Sequence, residues 1–89
     1  MDAMKWPDEA LSEIRSREDL ARFLIELSGQ VRGNKTPVEN STAEGFIDAA
    51  GRWVGSMEGF FSNIIQEPVP ENPDWAMVAA IFRAALVYE

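Results

Sequence analysis

Two prolines spaced two residues apart, Pro68 and Pro70, divide the chain more sharply than any other feature of its sequence. Each proline lacks a backbone donor and fixes its φ angle at about −65°, so this part of the chain is extended rather than helical. Directly after it, Asn72-Pro73-Asp74 supplies a helix N-cap, a proline at the first helical position and an acid in the first turn. The sequence therefore predicts a helix that starts at Pro73 and runs to about Tyr88.

Two earlier stretches of the chain carry apolar residues at the three- and four-residue spacing of one helical face. The first follows Ser16, a favourable N-cap residue, and predicts a helix over residues 17–32 that ends at Gly33-Asn34. The second opens with Ser41-Thr42-Ala43-Glu44, which matches a capping box with the serine as the cap. Its periodicity predicts a helix that continues to about Ser62.

A short helical turn is also predicted ahead of these helices, because Pro7-Asp8-Glu9 is followed by Ala10, Leu11 and Ile14. The chain shows no internal repeat and no alternation of apolar and polar residues that would indicate a strand. We therefore predict an all-α fold with one domain over residues 1–89. It is a small bundle of three main helices, the last of them central, with a short N-terminal helical segment. The predicted core comprises these apolar side chains: Leu20, Phe23, Leu24, Leu27, Phe46, Trp53, Met57, Phe61, Trp75, Val78, Phe82 and Leu86.

The last predicted helix is apolar on two sides. Trp75 and Phe82 lie on the side assigned to the core, and replacing either by Ala is expected to cost about 3–5 kcal/mol, because it leaves a cavity. Two interpretations of the second side stay open. Either the leading segment covers it, or it contacts a protein partner or a second copy of the chain. The second side carries Met77, Ile81 and Tyr88, and the covering residues would be Trp6, Leu11 and Ile14.

The absence of histidine and cysteine limits the chemistry available to the chain. It removes disulfides, thiolate nucleophiles, imidazole bases and the ligands most used by zinc and haem sites. Carboxylates would have to supply any metal site or acid-base pair, and Glu44 and Asp48 lie four residues apart on the second helix. Arg52 follows Asp48 by four residues, which favours an ordinary ion pair on a helix surface. We predict no enzymatic activity, no cofactor and no metal site.

The charge and hydropathy of the chain limit which partners and which location we expect. The formal net charge of −7 argues against nucleic acid, because binding to a phosphate backbone depends on clustered Lys and Arg. The longest nearly apolar run, residues 75–88, contains Arg83 and is shorter than the roughly 20 residues that a membrane span needs. Residues 1–5 lack the apolar region of a secretory signal. These features predict a cytoplasmic protein that binds neither nucleic acid nor a membrane.

The second helix offers a candidate contact surface. Gly51, Gly55 and Gly59 recur every four residues, opposite the apolar stripe and close to Glu44 and Asp48. Each glycine costs an exposed helix interior about 0.8–1.0 kcal/mol relative to Ala, and a glycine face lets another backbone approach closely. The alternative is an outward face that tolerates poor helix formers.

A small acidic helical domain without catalytic residues is interpreted first as a non-catalytic protein-interaction module, an immunity or regulatory protein whose acidic surface meets a basic partner. The alternative is a homodimeric structural or small-ligand-binding bundle that buries the second side of the last helix. A third hypothesis is an enzyme that uses carboxylates and a divalent metal, which calorimetry with Mg²⁺, Mn²⁺ or Ca²⁺ would test. The candidate contact residues are Glu44, Asp48, Gly51, Gly55, Met77, Ile81 and Tyr88.

Several segments of the chain carry a family resemblance. They are Ser16-Arg17-Glu18-Asp19-Leu20, Asn40-Ser41-Thr42, Trp53, Met57-Glu58-Gly59-Phe60-Phe61, Pro70-Glu71-Asn72-Pro73-Asp74-Trp75 and Val87-Tyr88-Glu89. With these segments the chain resembles a family of small uncharacterised bacterial proteins that is classed only as a domain of unknown function. The resemblance covers roughly residues 16–89, and its most specific part is Pro-Glu-Asn-Pro-x-Trp. It implies a compact bacterial domain and supplies no activity and no catalytic residues.

Overall fold

The computed structural model describes residues 9–89 of the chain. The elements in chain order are α1 (Glu9–Ser12), α2 (Arg17–Arg32), α3 (Ala43–Gly55), α4 (Met57–Phe60), a π-helical turn (Phe61–Ile65) and α5 (Trp75–Ala85). The described part of the chain contains no β-strand, which confirms the prediction of an all-α fold. Helix α1 corresponds to the predicted leading segment, whose Pro7 and Asp8 lie outside the described residues.

Helix α2 starts where its sequence predicts. The Ser16 Oγ accepts a hydrogen bond from the backbone N–H of Asp19 at 3.1 Å, and the Asp19 Oδ2 accepts one from the backbone N–H of Arg15 at 3.1 Å. The backbone N–H of Arg15 lowers the pKa of the Asp19 carboxyl below its ordinary value, and the Ser16 hydroxyl and the Arg22 charge act in the same direction. This reciprocal cap fixes the angle at which α1 leads into α2.

Helix α3 starts one residue later than predicted and ends earlier. Its N-cap is Thr42 rather than Ser41, because it is the Thr42 Oγ1 that accepts a hydrogen bond from the backbone N–H of Gly45, at 3.0 Å. The predicted single helix is interrupted at Ser56, whose Oγ donates to the Arg52 carbonyl oxygen at 2.8 Å. A serine that bonds back to the carbonyl four residues earlier commonly bends a helix.

Helix α5 starts at Trp75, two residues after the predicted start at Pro73. The N-cap is Asp74 rather than Asn72, because the Asp74 Oδ1 accepts a hydrogen bond from the backbone N–H of Met77 at 2.8 Å. The chain between the π-helical turn and α5 is not helical, as its prolines predict. It begins at Gln66, which takes a left-handed conformation with φ of 63°.

Helix α5 lies at the centre of the bundle, since α1, α2 and α3 each pack against it. By contrast, no Cα atom of α2 comes within 8 Å of a Cα atom of α3. The buried side of α5 is formed largely by small side chains, because Ala76, Ala79, Ala80 and Ala85 are all at most 5% exposed. Small side chains let neighbouring helices approach α5 closely.

The sequence-based core is largely confirmed, but two of its predicted residues on α5 are exposed. Trp75 is 42% exposed and Phe82 is 36% exposed, whereas Met77 is only 4% exposed. Leu11 and Ile14 belong to the same buried cluster as Met77, so the leading segment covers this side of α5. Trp6, the third residue of that interpretation, lies outside the described residues. Predicted core residues that are buried are Leu20, Phe23, Leu27, Met57, Phe61 and Leu86, and those partly buried against them are Leu24, Phe46, Trp53 and Val78.

Candidate functional site

An open groove runs between α2 and α3, because both helices pack on α5 but not on each other. We call it the α2–α3 groove. It consists of two adjoining hollows of about 410 and about 270 Å³, which share Val31 and Leu86. Its lining residues are Leu24, Leu27, Ser28, Val31, Val38, Asn40, Ser41, Thr42, Ala43, Phe46, Ile47, Phe82 and Leu86. None of these lining residues is charged, in a chain of which 26% of the residues are charged.

Aromatic side chains form part of the floor and wall of the α2–α3 groove. The rings of Phe46 on α3 and Phe82 on α5 lie 5.7 Å apart between centroids, with their planes tilted by 44°. On the outer edge, the Ile47 side chain is 68% exposed. An apolar surface that stays open to water is typical of a site that another molecule covers.

The two rims of the α2–α3 groove carry opposite charges. On the α2 rim, the Arg32 Nη2 donates to the Oγ of the lining residue Ser28 at 3.5 Å. On the α3 rim, the exposed Glu44 lies one helical turn before Ile47 on the same side of the helix. The exposed Glu39 lies in the loop before α3, between the lining residues Val38 and Asn40 in the sequence.

The predicted contact residues of α3 lie together on its outer face. Glu44, Asp48, Gly51 and Gly55 are all exposed. A Cβ atom added at Gly51 or at Gly55 would meet no other atom within 4 Å. The outer face is therefore open, and it adjoins the α2–α3 groove through Ile47.

Asp48 also belongs to a network that holds the end of the described chain against α3. Its Oδ2 accepts a hydrogen bond from the Arg52 Nε at 2.9 Å, and the Arg52 Nη1 donates to the backbone oxygen of Glu89 at 2.6 Å. The Arg52 guanidinium carbon lies 5.8 Å from the centroid of the Tyr88 ring, and the Tyr88 hydroxyl lies 2.7 Å from the Ser56 Oγ. The ion pair that the spacing of Asp48 and Arg52 predicts is confirmed.

The three predicted contact residues near the C-terminal end of the chain do not form one surface. Met77 is 4% exposed and lies in the core, and Ile81 is partly buried against the core. Tyr88 is half-buried in the network around Arg52. Met77 is therefore not available to a partner in this conformation, because α1 covers its side of α5.

Asn40 has a structural role that sequence reasoning missed. Its Nδ2 donates to the backbone oxygens of Ala85 at 2.8 Å and of Tyr88 at 2.9 Å, so the side chain caps the C-terminal end of α5. The backbone N–H groups of Glu39 and Asn40 both donate to the Leu86 oxygen, at 2.7 and 3.0 Å. The only local signal, the segment Asn40-Ser41-Thr42, indicates a helix start and gives no hint of a partner 45 residues away.

A further hollow of about 430 Å³, separate from the α2–α3 groove, lies beside the π-helical turn. Glu58 and Glu67 line it together with Phe61, Ser62, Pro68 and Val69. Within residues 9–89, no cluster of three or more acidic side chains is arranged to hold a metal ion. None of the described helices is long and apolar enough to cross a membrane.

Comparison with known proteins gives a family and no function. The family that matches is described as a family of unknown function (DUF7660), and the match covers residues 16–89. No curated protein and no solved structure matches the chain. The family match spans the helices α2 to α5, which include the whole α2–α3 groove.

Proposed function

This chain belongs to the DUF7660 family of unknown function, and from its surface we propose that it acts as a non-catalytic protein-interaction module of the immunity or regulatory type. Its partner is a basic protein, and its setting is the bacterial cytoplasm, as the sequence predicts. The observation that carries the proposal is the α2–α3 groove, an open apolar surface without a charged lining residue. Exposed apolar surfaces of this kind mark sites where a partner or a ligand binds.

The charge of the chain supports a basic partner over a second copy. Each copy carries a formal net charge of −7, so association of two copies brings like charges together, whereas a basic protein is attracted. Electrostatic attraction of this kind raises the rate of association and excludes partners of the wrong sign. A homodimeric or ligand-binding bundle remains the alternative.

The residue types available also support a role without catalysis. With neither histidine nor cysteine in the sequence, imidazole general bases and thiol nucleophiles are missing. The lowered pKa of Asp19 has a structural cause, because its carboxylate caps α2. A carboxylate in such a role stabilises a helix end and needs no substrate.

The proposal is tested by capture of partners from a lysate of the source cells, at about 50 mM and at about 500 mM salt. The immobilised wild-type chain is compared with the Phe61→Ala variant. Phe61 is 1% exposed, so this variant is expected to unfold while its charge stays the same. We expect one near-stoichiometric basic protein on the wild-type chain only, and its loss at high salt.

Two other results would contradict the proposal. Equal retention by both chains would mean that acidic charge alone captures proteins, without a folded surface. Recovery of no protein other than the chain itself, together with a concentration-independent dimer in light scattering, would favour the homodimeric bundle.

A further inference from the structure

The α2–α3 groove has the length and the largely apolar lining expected of a docking site for one α-helix. It follows α2 from Leu24 to Val31, which is about two helical turns. Phe82 of α5 and Leu86, the residue that follows this helix, form its floor. Helices that pack directly on each other have axes about 8–10 Å apart. Helices α2 and α3 both pack on α5 and do not approach each other in this way, so the groove between them is open to a further helix.

Two of the large apolar side chains that line the groove are left exposed by the described residues. Ile47 is 68% exposed and Phe82 is 36% exposed, although both are large and apolar. An amphipathic helix that lays its apolar side chains into such a groove is a recurrent mode of protein recognition. Side chains spaced three and four residues apart would cover both Ile47 and Phe82.

The charges at the rims indicate which flank of that helix is basic. Glu44 stands on the α3 rim and Glu39 lies in the loop before α3, and both are exposed. Arg32 stands on the α2 rim beside Ser28. A helix in the groove is therefore expected to bind most tightly when Lys or Arg lies along its flank towards α3 and neutral or acidic residues lie along its flank towards α2.

We propose that the α2–α3 groove binds an amphipathic helix of the partner protein, with its apolar face against Phe82 and Ile47 and its basic flank against Glu44. This inference rests on the proposed function and gives the partner a stated chemistry. A second copy of the chain is disfavoured by its negative charge. A small molecule is disfavoured because ligand sites enclose most of the ligand surface, and this groove is open.

The test uses two synthetic peptides of about 15 residues, which is long enough for a helix to form. Both carry Leu at helical spacing, and the other positions are Lys in one peptide and Glu in the other. Binding to the full chain is followed by amide chemical shifts in NMR and by fluorescence anisotropy of the labelled peptide. We expect the Leu/Lys peptide to bind with shifts concentrated at Ser28, Ile47 and Phe82, and the Leu/Glu peptide not to bind.

Two matched pairs of variants test the site. Ile47→Ala is expected to weaken binding of the Leu/Lys peptide by at least about tenfold, because it removes buried apolar surface. Ile64→Ala is its control, since Ile64 is 56% exposed but lies on the π-helical turn. Glu44→Gln is expected to weaken binding about twofold to fivefold and to reduce its salt dependence. Glu71→Gln removes the same charge from the exposed segment before α5 and is expected to have a smaller effect.

The results that would overturn the inference differ from those that would overturn the proposed function. No binding of the Leu/Lys peptide at millimolar concentration, equal binding of both peptides, or shifts centred on the π-helical turn would each refute the helix-binding groove. If a basic protein is nevertheless captured from lysate and the Ile47→Ala variant retains it, the interaction module stands and only this site is wrong. Circular dichroism confirms that each variant keeps its helices.

Discussion

The hydrogen bonds of Asn40 predict that this exposed loop controls the stability of the central helix. Its Nδ2 serves two carbonyl oxygens, those of Ala85 and Tyr88, at 2.8 and 2.9 Å. Ala85 is fully buried, so water does not readily replace a donor lost there. Asn40→Ala removes both hydrogen bonds and leaves these carbonyl oxygens at the end of α5 without the side-chain donor.

The size of the effect follows from ordinary hydrogen-bond energies. Each of two such bonds contributes about 0.5–1.5 kcal/mol net, and a buried group left unsatisfied adds to the cost. We therefore expect Asn40→Ala to lower the free energy of unfolding by about 2–3 kcal/mol. A domain of this size has a reserve of only about 3–5 kcal/mol, and its melting temperature should fall by about 10–20 °C.

The assay is urea unfolding followed by circular dichroism at several temperatures. Asn40→Asp should be at least as destabilising as Asn40→Ala, because an ionised carboxylate has no donor and would face two carbonyl oxygens. The matched control is Asn72→Ala, since Asn72 is exposed in the segment before α5. If Asn40→Ala unfolds within about 0.5 kcal/mol of the wild-type chain, the cap contributes nothing and the reasoning is wrong.

Three further predictions concern the caps, the core and the glycines. Folding lowers the pKa of Asp19, so its ionised carboxylate should stabilise the fold at pH values above its ordinary pKa of 3.8. This stabilisation should be lost as the pH falls through the lowered pKa. The unfolding midpoints of Asp19→Asn and of the wild-type chain should therefore differ near neutral pH and converge in strong acid. Phe61→Ala should cost about 3–5 kcal/mol, which is the whole reserve of the domain, so its urea transition should be lost. Trp75→Ala, at a site that is 42% exposed, should cost about 1–2 kcal/mol and keep a cooperative transition. Gly51→Ala should raise the melting temperature, because its Cβ meets open space and Ala gains about 1 kcal/mol in a helix. Gly45→Ala should gain less, because its Cβ would lie 3.0 Å from the Thr42 Oγ1.

The helices themselves were predictable from local chemistry. The periodicity of apolar residues and the Ser16 cap gave the bounds of α2 as the structure has them. The starts of α3 and α5 were shifted by one and two residues, because several neighbouring residues can each act as a cap. The sequence does not show whether Ser41 or Thr42, or Asn72 or Asp74, has its side chain aimed at the free N–H groups.

The orientation of α5 was harder to predict, because hydrophobicity alone does not decide which side of a helix is buried. Trp75 and Phe82 are the largest apolar residues of α5, and that pointed to a core position. The structure leaves both exposed and buries the small Ala79 of the same predicted side, together with Ala80. A helix that packs against three others needs small residues where the axes come close, and large side chains then lie at the edges of the contact.

The candidate site was only partly predictable for the same reason. The exposure of Glu44 and Gly51 follows from helical periodicity. The groove beside them exists because α2 and α3 stay apart, and this depends on how both pack on α5. The contact between Phe46 and Phe82 joins residues 36 positions apart in the sequence, and no local pattern predicts it.

The alanine side of α5 and the open groove are two consequences of one packing arrangement. Because small residues occupy the buried side of α5, its larger residue Phe82 is left on the side between α2 and α3, where it stays 36% exposed. Burial of apolar surface adds about 25 cal/mol per Å² to the free energy of unfolding, so apolar area that stays in water adds nothing, and a small domain has little else to offset this. A partner that covers Phe82 and Ile47 would recover that stability on binding, and ligand binding to the folded state alone raises the free energy of unfolding. If the proposed helix binds in the groove, it should therefore raise the free energy of unfolding of the chain, which thermal unfolding with and without the Leu/Lys peptide would measure.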